Sequence, residues 1–549
     1  MNTPTRSRAD GAAQWLADIE GAARGGDWTR AAAWADRAIA LGIEHARIFH
    51  IRAAARERTG DLAGVIADLE RAHALAPADV GIANAWAVAL TRMDRWREAV
   101  AILGPIVDAR PDSAVSWFNL GEARRAEGVI PDAEAAYRRV MALEPAHADA
   151  VARLAVLANH RGAPAEAMAL AERALAIDPA HADARRARIE ALIAEKAYET
   201  AEREARAWLG APGLGPSART HALGLLGDAL EELRRFPEAF QAFSASKAAF
   251  ADANRRQFAR LETYPLALTL AGVREEFQSI APEAWRGAEP PATGDGPPTH
   301  VFLMGFMRSG TTLLEQALAR HPDAVSVEEL ETLAGSGGAL IGEPGGLRRI
   351  AAFSEGEIAA ARLSYWRAVR DAGIEPGGKV LIDKLPFNGI KLPLIAKLFP
   401  EAKVIFAIRD PRDVVLSCFQ KRLAANGFSY EMRTLDGAAR FYAAYMELVG
   451  AYRGRLAVPI LDHRHEGLIA DVGGSIREVC DFAGLDFRPE LVAFERSARA
   501  GRVMSQSSRQ LGEGLTARGV GRWRSYADEL APVLPVLAPW AASFGYPKA

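Results

Sequence analysis

The pattern of apolar and polar positions differs between the two halves of the chain. In the first half one arrangement of small, large and polar residues returns at a fixed interval, and Pro77, Pro111, Pro145 and Pro179 mark it at every 34th position. This interval is typical of arrays in which each unit is a pair of helices that buries its apolar face against the next pair. The first half is therefore predicted to be an array of helix pairs.

The clearest unit of this array has small and large residues where two packed helices require them. Gly121 and Ala133 are small enough to let the two helices approach closely, whereas Trp117 and Tyr137 are large enough to fill the space toward the next unit. Pro145 ends the second helix, because proline lacks a backbone donor and cannot continue it. The order of these residues resembles the tetratricopeptide repeat. A plain helical bundle is the alternative, and the fixed interval argues against it.

The interval also predicts where the array begins and ends. Its units are predicted to start at residues 12, 46, 80, 114, 148 and 182, and a seventh follows a short insertion, GAPGLGPS. The predicted array spans 12–252, and a helical cap with a Pro/Gly-rich linker follows at 253–299. Such arrays usually present a long surface to an extended chain. We therefore expect the array to bind an acceptor macromolecule or a protein partner and to carry no catalytic residues.

Short apolar runs that end in charged residues characterise the rest of the chain, 300–549. HVFLMGF, KVLIDK and KVIFAIRD have the length of buried strands, and stretches with helical spacing lie between them. Strands that alternate with helices predict a three-layer α/β domain with a parallel sheet. Ligands bind to such sheets at the carboxyl ends of the strands, where the charged residues fall.

Composition narrows the class of protein further. The chain has 549 residues, too many for one ordinary core, and half are hydrophobic and a quarter charged, as in soluble globular proteins. A formal net charge of -2 provides no global positive field for nucleic acid. Two cysteines, Cys418 and Cys480, argue against a disulfide framework. Because we find no membrane-spanning apolar run and no signal peptide, we expect a cytoplasmic protein.

A glycine-rich loop at 305–312 follows the first strand and opens a helix. Its G-x-x-x-x-G spacing matches a loop that binds phosphate through backbone N–H groups and a helix N-terminus. The position of the usual P-loop lysine is Thr311, so the cation that spans the outer phosphates of a nucleotide is missing. Asp383 and Asp410 are candidates for magnesium but lie in other motifs. With Arg308 and two hydroxyls instead, the loop favours a phosphosulfate held without a metal over a plain strand–helix turn.

The loop sequence FLMGFMRSGTTLLEQALARHPD resembles the donor 5′-phosphosulfate loop of sulfotransferases. It is similar to that of tyrosylprotein sulfotransferases and of bacterial sulfotransferases fused to tetratricopeptide repeats, although Met307 stands where relatives often have proline. Three later stretches share the resemblance: IDKLPFNGIKLPLIAKLFPEAKVIFAIRDPRDVVLSCF, HRHEGLIAD with FAGLDF, and GVGRWRSYADEL. The resemblance implies transfer of a sulfo group from 3′-phosphoadenosine 5′-phosphosulfate to an acceptor hydroxyl, without a metal. Because a solenoid surface suits an extended acceptor, we expect the array, 12–252, not to touch the donor.

The resemblance also implies which residues are catalytic. Glu329, 21 residues after Arg308, matches the acceptor-activating glutamate of tyrosylprotein sulfotransferases, while the nearby Glu328 and Glu331 are alternatives with the same charge. Lys384, at the end of a predicted strand, matches the lysine near the bridging and sulfo oxygens. Arg308 is expected to share this electrostatic role. The alternative interpretation is that Glu328, Glu329 and Glu331 are solvated surface acids and that Lys384 is a structural surface lysine.

Nine residues are expected to bind the donor. They are Arg308, Ser309, Gly310, Thr311 and Thr312 of the loop, followed by Arg409, Ser417, Ser507 and Arg522. Arginine offers planar donors to phosphate oxygens, and serine adds a neutral one. The segment around Ser507, MSQSSRQLGEG, departs from the family pattern, so its register is open by a residue or two.

Two other classes of function remain as alternatives. One is an adaptor protein whose sulfotransferase-like domain binds nucleotide without turnover, and the other is a P-loop kinase, which the absent lysine disfavours. The acceptor is open among protein tyrosine, glycan, lipid and small metabolite. Glu331 stands near the position at which tyrosylprotein enzymes use an arginine to bind acidic peptides, which argues against the same peptide preference here. His321 and His465 are interpreted as structural, without metal ligands beside them.

Overall fold

The computed structural model describes residues 11–287, 299–496 and 519–548. They fall into two compact units, one that ends at Ala191 and one that begins at Leu192. The array predicted from the sequence runs on to residue 252, so its last helices belong to the second unit. Among the described residues no helix is long and apolar enough to cross a membrane.

The first part of the chain is an array of seven helix pairs, as predicted. The helices of the described residues up to 254 are α1 Gly11–Arg24, α2 Trp28–Ala40, α3 Ala46–Thr59, α4 Leu62–Leu75, α5 Val80–Arg92, α6 Trp96–Ala109, α7 Ala114–Glu127, α8 Ile130–Leu143, α9 Ala148–His160, α10 Pro164–Ile177, α11 Ala182–Ala194, α12 Tyr198–Leu209, α13 Pro216–Glu232 and α14 Phe236–Asn254. The first helices of pairs two to six begin at the predicted positions.

The turn inside each pair places one residue in the left-handed region of the backbone. The φ angles of Gly26, Gly60, Asp94, Gly128, Gly162 and Lys196 lie between 58° and 83°. These positions are 34 residues apart, and glycine fills four of the six because it adopts positive φ without steric cost. In the seventh pair the equivalent residue is Arg234, four positions late, which accounts for the longer helix α13.

The two helices of a pair touch where the sequence predicts a small residue opposite a large one. The ring of Tyr137 lies against Gly121, and a Cβ atom at that glycine would be 2.6 Å from Cε1 of the tyrosine. Phe243 packs in the same way on Gly227, where the corresponding distance would be 2.5 Å. The close approach of the helices therefore depends on these two glycines.

Gly121→Ala is expected to lower the free energy of unfolding by about 1–3 kcal/mol, because an added methyl group overfills a packed core. Gly104→Ala is the matched control. It lies in α6 of the same array, where no atom comes within 4 Å of a new Cβ, and should stabilise by about 0.5–1 kcal/mol through helix propensity. Urea unfolding of both variants measures the difference, and effects of equal sign would contradict the packing account.

The second unit is built around a five-stranded sheet. Its strands are β1 His300–Gly305, β2 Ala324–Glu328, β3 Val380–Lys384, β4 Lys403–Ile408 and β5 Ile460–Arg464. They are ordered β2-β3-β1-β4-β5, and every neighbouring pair is parallel. Residues alternate between two cores, so that Phe302 and Met304 face one and Val301 and Leu303 the other. The predicted three-layer α/β architecture is confirmed.

Helices cover both faces of this sheet. They are α15 Ala259–Thr263, α16 Leu266–Ser279, α17 Thr311–Leu318, α18 Gly346–Ala351, α19 Glu355–Asp371, α20 Leu392–Leu398, α21 Pro411–Gln420, α22 Gly427–Glu431, α23 Leu435–Arg453, α24 His465–Ala470, α25 Val472–Ala483, α26 Ala527–Leu530 and α27 Leu534–Ser543. The larger core also includes Leu270, Phe277 and Trp285, from the segment predicted to be a cap and linker. That segment therefore contributes to the α/β core.

Candidate functional site

The glycine-rich loop at 305–312 connects β1 to α17 at the carboxyl ends of the strands, as predicted. β1 ends at Gly305, where a Cβ atom would lie 2.6 Å from the carbonyl oxygen of Ala407 on the adjacent strand. The loop then turns through Arg308 and Gly310, which both have positive φ, and α17 begins at Thr311. Because the N-cap Gly310 has no side chain, the first N–H groups of α17 receive no side-chain cap.

Three of the predicted donor-binding residues are brought together at this loop. The Nε atom of Arg308 donates to Oγ of Ser417 on α21 at 3.1 Å. Nη1 of Arg409, just after β4, donates to the carbonyl oxygen of Arg308 at 3.0 Å. Arg409 and Ser417, which follow Arg308 in the chain by 101 and 109 positions, thus hold its backbone and side chain in the left-handed conformation.

Polar atoms around the loop are buried without a partner. Oγ of Ser309, Nε of Arg409 and Nδ1 of His465 have no hydrogen-bond partner among the residues that the structure describes. Burial, reinforced by the charge of Arg409, lowers the pKa of His465 to about 3, so this imidazole is neutral. Because such buried atoms normally have partners, Oγ of Ser309 and Nε of Arg409 match the donors that an anionic ligand would accept from, and Nδ1 of His465 joins them only in the tautomer that is protonated there.

A cluster of positive charge surrounds these atoms, and we define it as Arg308, Arg409, Lys421 and Arg522. Burial and the charges of Arg409 and Arg522 lower the pKa of Arg308 to about 10. Burial, opposed by Asp228 and reinforced by Arg308 and Arg522, lowers the pKa of Lys421 to about 8. Lys421 follows α21 directly, and the sequence analysis missed it. Like charges that are partly or fully shielded from solvent repel one another, so this cation cluster favours an anion.

The cation cluster is joined to the segment after residue 518. Nη2 of Arg409 donates to the carbonyl oxygen of Gly519, and Asp413 accepts from the backbone N–H groups of Gly521 and Trp523 at 2.7 and 2.8 Å. Arg522 itself pairs with Glu231, a residue of α13. Ser507 lies outside the described residues.

Lys384 and Glu329 are in direct contact at the neighbouring strand ends. The Nζ atom of Lys384 is fully buried and donates to Oε1 of Glu329 at 2.7 Å and to Oε1 of Glu328 at 3.3 Å. Burial disfavours the charge on this lysine, but the adjacent carboxylates outweigh burial and raise its pKa. The backbone N–H of Glu329 also donates to the carbonyl oxygen of Lys384 at 2.7 Å. The two predicted catalytic residues therefore form one hydrogen-bonded unit.

Backbone strain occurs both at the loop that contains Arg308 and at the contact between Lys384 and Glu329. Five non-glycine residues among those described have positive φ, and three of them occupy the repeat turns. The other two are Arg308, with φ 67°, and Glu329, with φ 50°. Such conformations cost about 1–3 kcal/mol each and persist when the surrounding structure holds them. Both residues were predicted to be catalytic, and their strain is consistent with a functional site.

Glu315, on α17, is a further carboxylate that the sequence analysis missed. It is buried, accepts a hydrogen bond from Oγ of Ser326 at 2.6 Å and leaves Oε2 without a partner among the described residues. Burial and the charge of Glu328 raise its pKa to about 7, against the attraction of Lys384. One buried lysine therefore lies near three carboxylates, and the pKa of the buried one, Glu315, lies near neutral pH.

The raised pKa of Glu315 makes stability depend on pH. Because the folded pKa of about 7 exceeds the ordinary 4.5, the folded state binds the extra proton, and stability falls as pH rises from about 4.5 to 7, by about 3 kcal/mol at most. Glu315→Gln abolishes this titration. Relative to the unsubstituted chain it should gain about 1–3 kcal/mol between pH 5 and pH 8 in urea unfolding. A difference independent of pH would show that Glu315 does not titrate there.

The two aspartates considered for magnesium have protein partners. Asp383 is fully buried and accepts from Oγ1 of Thr332 at 2.7 Å, the hydroxyl of Tyr365 at 2.9 Å and Nδ2 of Asn388 at 3.2 Å. Asp410 forms a bidentate, buried ion pair with Arg412. Their oxygens are thus occupied by structural hydrogen bonds.

The expectation that His321 has no metal-ligating neighbours is wrong. Its ring lies beside the carboxylates of Asp323 and Asp486, close enough for all three to share an ion. However, Nδ1 accepts from the backbone N–H of Asp323 at 3.1 Å, which places the proton on Nε2, and Nε2 donates to Asp486 at 3.0 Å. Both nitrogens therefore hold the HPD turn, and the histidine remains structural in this arrangement.

Residues 298–489 match the model of the sulfotransferase family. This match contains the loop, Glu329, Lys384, Arg409 and Ser417, so the site just described lies in a sulfotransferase-family domain. The chain joins that domain to the helical repeat array.

Known proteins resemble parts of the chain. An uncharacterized protein of Aquifex aeolicus (strain VF5) is 28% identical over 249 residues, 43% of this chain and 32% of that protein. Sulfotransferase 2A6 of Mus musculus is 29% identical over 124 residues, 21% of this chain and 41% of that protein. The chain thus spans less than half the length of these relatives. A solved structure, YrrB, described as a TPR protein with an unusual peptide-binding site, is 18% identical with a TM-score of 0.30 and covers 34% of this chain and 94% of its own.

Proposed function

We propose that the protein is a sulfotransferase that uses 3′-phosphoadenosine 5′-phosphosulfate as donor and an acceptor hydroxyl as the second substrate. The contact between Lys384 and Glu329 beside the phosphate loop is the observation that carries this proposal. It places a candidate base and a candidate electrostatic catalyst within one hydrogen bond of each other, at the carboxyl end of a parallel sheet.

The donor's charge would be matched by two sets of groups. The loop and the first turn of α17 offer backbone N–H groups, the hydroxyls of Ser309, Thr311 and Thr312, and the guanidinium of Arg308. Arg409 and Ser417 would hold the 3′-phosphate, with Lys421 as a further cation. A transferring sulfo group carries less negative charge than a phosphoryl group, which is consistent with a site that uses side-chain cations and no metal.

In the proposed reaction one S–O bond forms to the acceptor oxygen, and the S–O bond to the donor phosphate breaks. Glu329 accepts the proton of the acceptor hydroxyl as that oxygen attacks. Lys384 and Arg308 stabilise the negative charge that develops on the sulfo and bridging oxygens. The leaving product is adenosine 3′,5′-bisphosphate, which the cation cluster would bind.

For the repeat array, 12–252, we propose a role in selecting the acceptor. Helix-pair arrays add a few side chains per unit to a long surface, and such surfaces favour extended chains over small metabolites. A macromolecular hydroxyl, on a protein or a glycan, is therefore the proposed acceptor class.

The test is incubation of the full chain with donor labelled in the sulfo group and an extract of the native cell. Label transferred to an extract component, in the presence of a chelator, is the expected result. No transfer, while adenosine 3′,5′-bisphosphate still binds, would favour the adaptor alternative. Transfer of a labelled phosphoryl group from ATP that depends on magnesium would instead favour a kinase.

A further inference from the structure

The seventh helix pair, α13 with α14, contacts the candidate donor site directly. Both oxygens of Glu231, near the end of α13, accept from Arg522 of the cation cluster, with Nε at 2.7 Å. The same carboxylate accepts from the hydroxyl of Tyr526 at 2.8 Å and from Nε2 of Gln420 at 3.3 Å. One repeat residue thus joins the segment after 518 to the end of α21.

A second repeat residue supports α21, the helix that carries Ser417. Lys247 of α14 is buried, and its Nζ donates to the carbonyl oxygens of Lys421 at 2.9 Å and Cys418 at 3.4 Å. Burial lowers its pKa to about 8, so the ammonium group remains mostly charged at neutral pH. A cation at this place satisfies carbonyl groups that the end of a helix leaves unpaired, and it matches the negative end of the helix dipole.

The fit between the pair and the domain is close elsewhere too. Arg422 forms an ion pair with Asp228 at 2.8 Å and lies so near α13 that a Cβ atom at Gly224 would be 2.6 Å from its Cδ. The ring of Phe240 packs on Phe419, with 5.4 Å between centroids. The contact is therefore both charged and apolar.

We propose that the seventh helix pair is part of the donor site, and that Glu231 is a positioning residue that orients Arg522 toward the donor's phosphates. The inference rests on the proposed function and contradicts the expectation that the array keeps apart from the donor. Arg522 belongs to a cluster of like charges and is only one quarter exposed, so an ion pair stabilises its guanidinium there. Glu231 supplies that pairing through Nε and Nη2, and Nη1 is the guanidinium nitrogen that this pair does not use.

An effect of the Glu231 charge alone would change anion affinity in the opposite direction from positioning of Arg522. The two explanations can therefore be distinguished by experiment. If Glu231 acted only through its charge, its removal would make the cluster more positive and tighten binding of an anion. If it positions Arg522, its removal frees that side chain, and ordering it again on binding weakens the affinity. The sign of the change distinguishes them.

The experiment measures binding of adenosine 3′,5′-bisphosphate to the full chain by calorimetry. Glu231→Gln is expected to weaken binding about tenfold, and to have little further effect when Arg522→Met is already present, since residues that act together are not additive. Glu238→Gln, in α14 and paired with Arg235 away from the cluster, is the control and should bind normally. Glu231→Asp should restore part of the affinity lost in Glu231→Gln.

The results that would overturn the role of Glu231 differ from those that would overturn the proposed function. Unchanged or tighter binding by Glu231→Gln, or full additivity with Arg522→Met, would overturn this inference alone. Failure of the unsubstituted chain to bind adenosine 3′,5′-bisphosphate would overturn the proposed function as well. The melting temperature of Glu231→Gln is expected to equal that of the unsubstituted chain to within a few degrees. If the affinity weakened only because the variant was partly unfolded, the result would count against positioning.

Discussion

Glu329→Gln is expected to lower turnover about a hundredfold or more and to leave binding of adenosine 3′,5′-bisphosphate unchanged, because it would remove the proposed general base and keep the shape of the side chain. The carboxylate is held by Lys384 at 2.7 Å, yet its side chain is 44% exposed, so an acceptor hydroxyl has access to it. Its left-handed backbone fixes the direction of the side chain. Turnover with labelled donor and donor-product binding by calorimetry are the two measurements.

Glu328→Gln is the matched control for this prediction. Glu328 is the preceding residue, has the same charge and approaches the same lysine, at 3.3 Å. Removing it should reduce turnover much less, because it lies farther from Lys384 and belongs to the strand. If the two variants exchange behaviour, the assignment of the base is wrong by one residue.

Arg409→Ala is expected to weaken binding of adenosine 3′,5′-bisphosphate by about 2–5 kcal/mol, the usual cost of truncating a buried charged contact. Arg409 would bind the 3′-phosphate, and it also orients the loop through the carbonyl oxygen of Arg308. Arg409→Lys should recover only part of the loss, since an ammonium group cannot reproduce two directed guanidinium contacts.

Arg440→Ala provides the control for charge alone. Arg440 is an exposed arginine of α23 that pairs with Asp436 on the same helix. Its removal changes the net charge equally and should leave the affinity unchanged at moderate ionic strength. Unchanged affinity of Arg409→Ala would refute the assignment of the phosphate site.

Periodic and local features of the fold could be predicted from the sequence. The spacing of Pro77, Pro111, Pro145 and Pro179 reveals the helix pairs, because one turn geometry recurs in every unit. The alternation of apolar runs and helical stretches reveals the parallel sheet, and the glycines at 305 and 310 reveal the turn between β1 and α17. In each case the signal is either a repeated interval or a set of residues close together in the chain.

Contacts between distant residues could not be predicted in this way. Glu231 and Arg522 are 291 positions apart, and neither has a neighbour that marks it as part of a pair. Glu315 occupies an ordinary position of an amphipathic helix, and its raised pKa comes from its burial and from the charge of Glu328, against the opposing hydrogen bond from Ser326. The left-handed backbone conformation of Arg308 and Glu329 could not be predicted from the sequence either, because neither residue is a glycine.

The attachment of the seventh helix pair to the α/β domain has a consequence for how such a chain can evolve. A protein made of 34-residue units changes length by duplication or loss of whole units, and each unit contacts mainly its neighbours. Here the last unit has become part of the other fold through Glu231, Lys247 and Asp228. Duplication near the start of the array would extend the surface offered to partners and leave these three side chains in place. Loss of the last unit would remove them, so selection on the number of units should be uneven along the array.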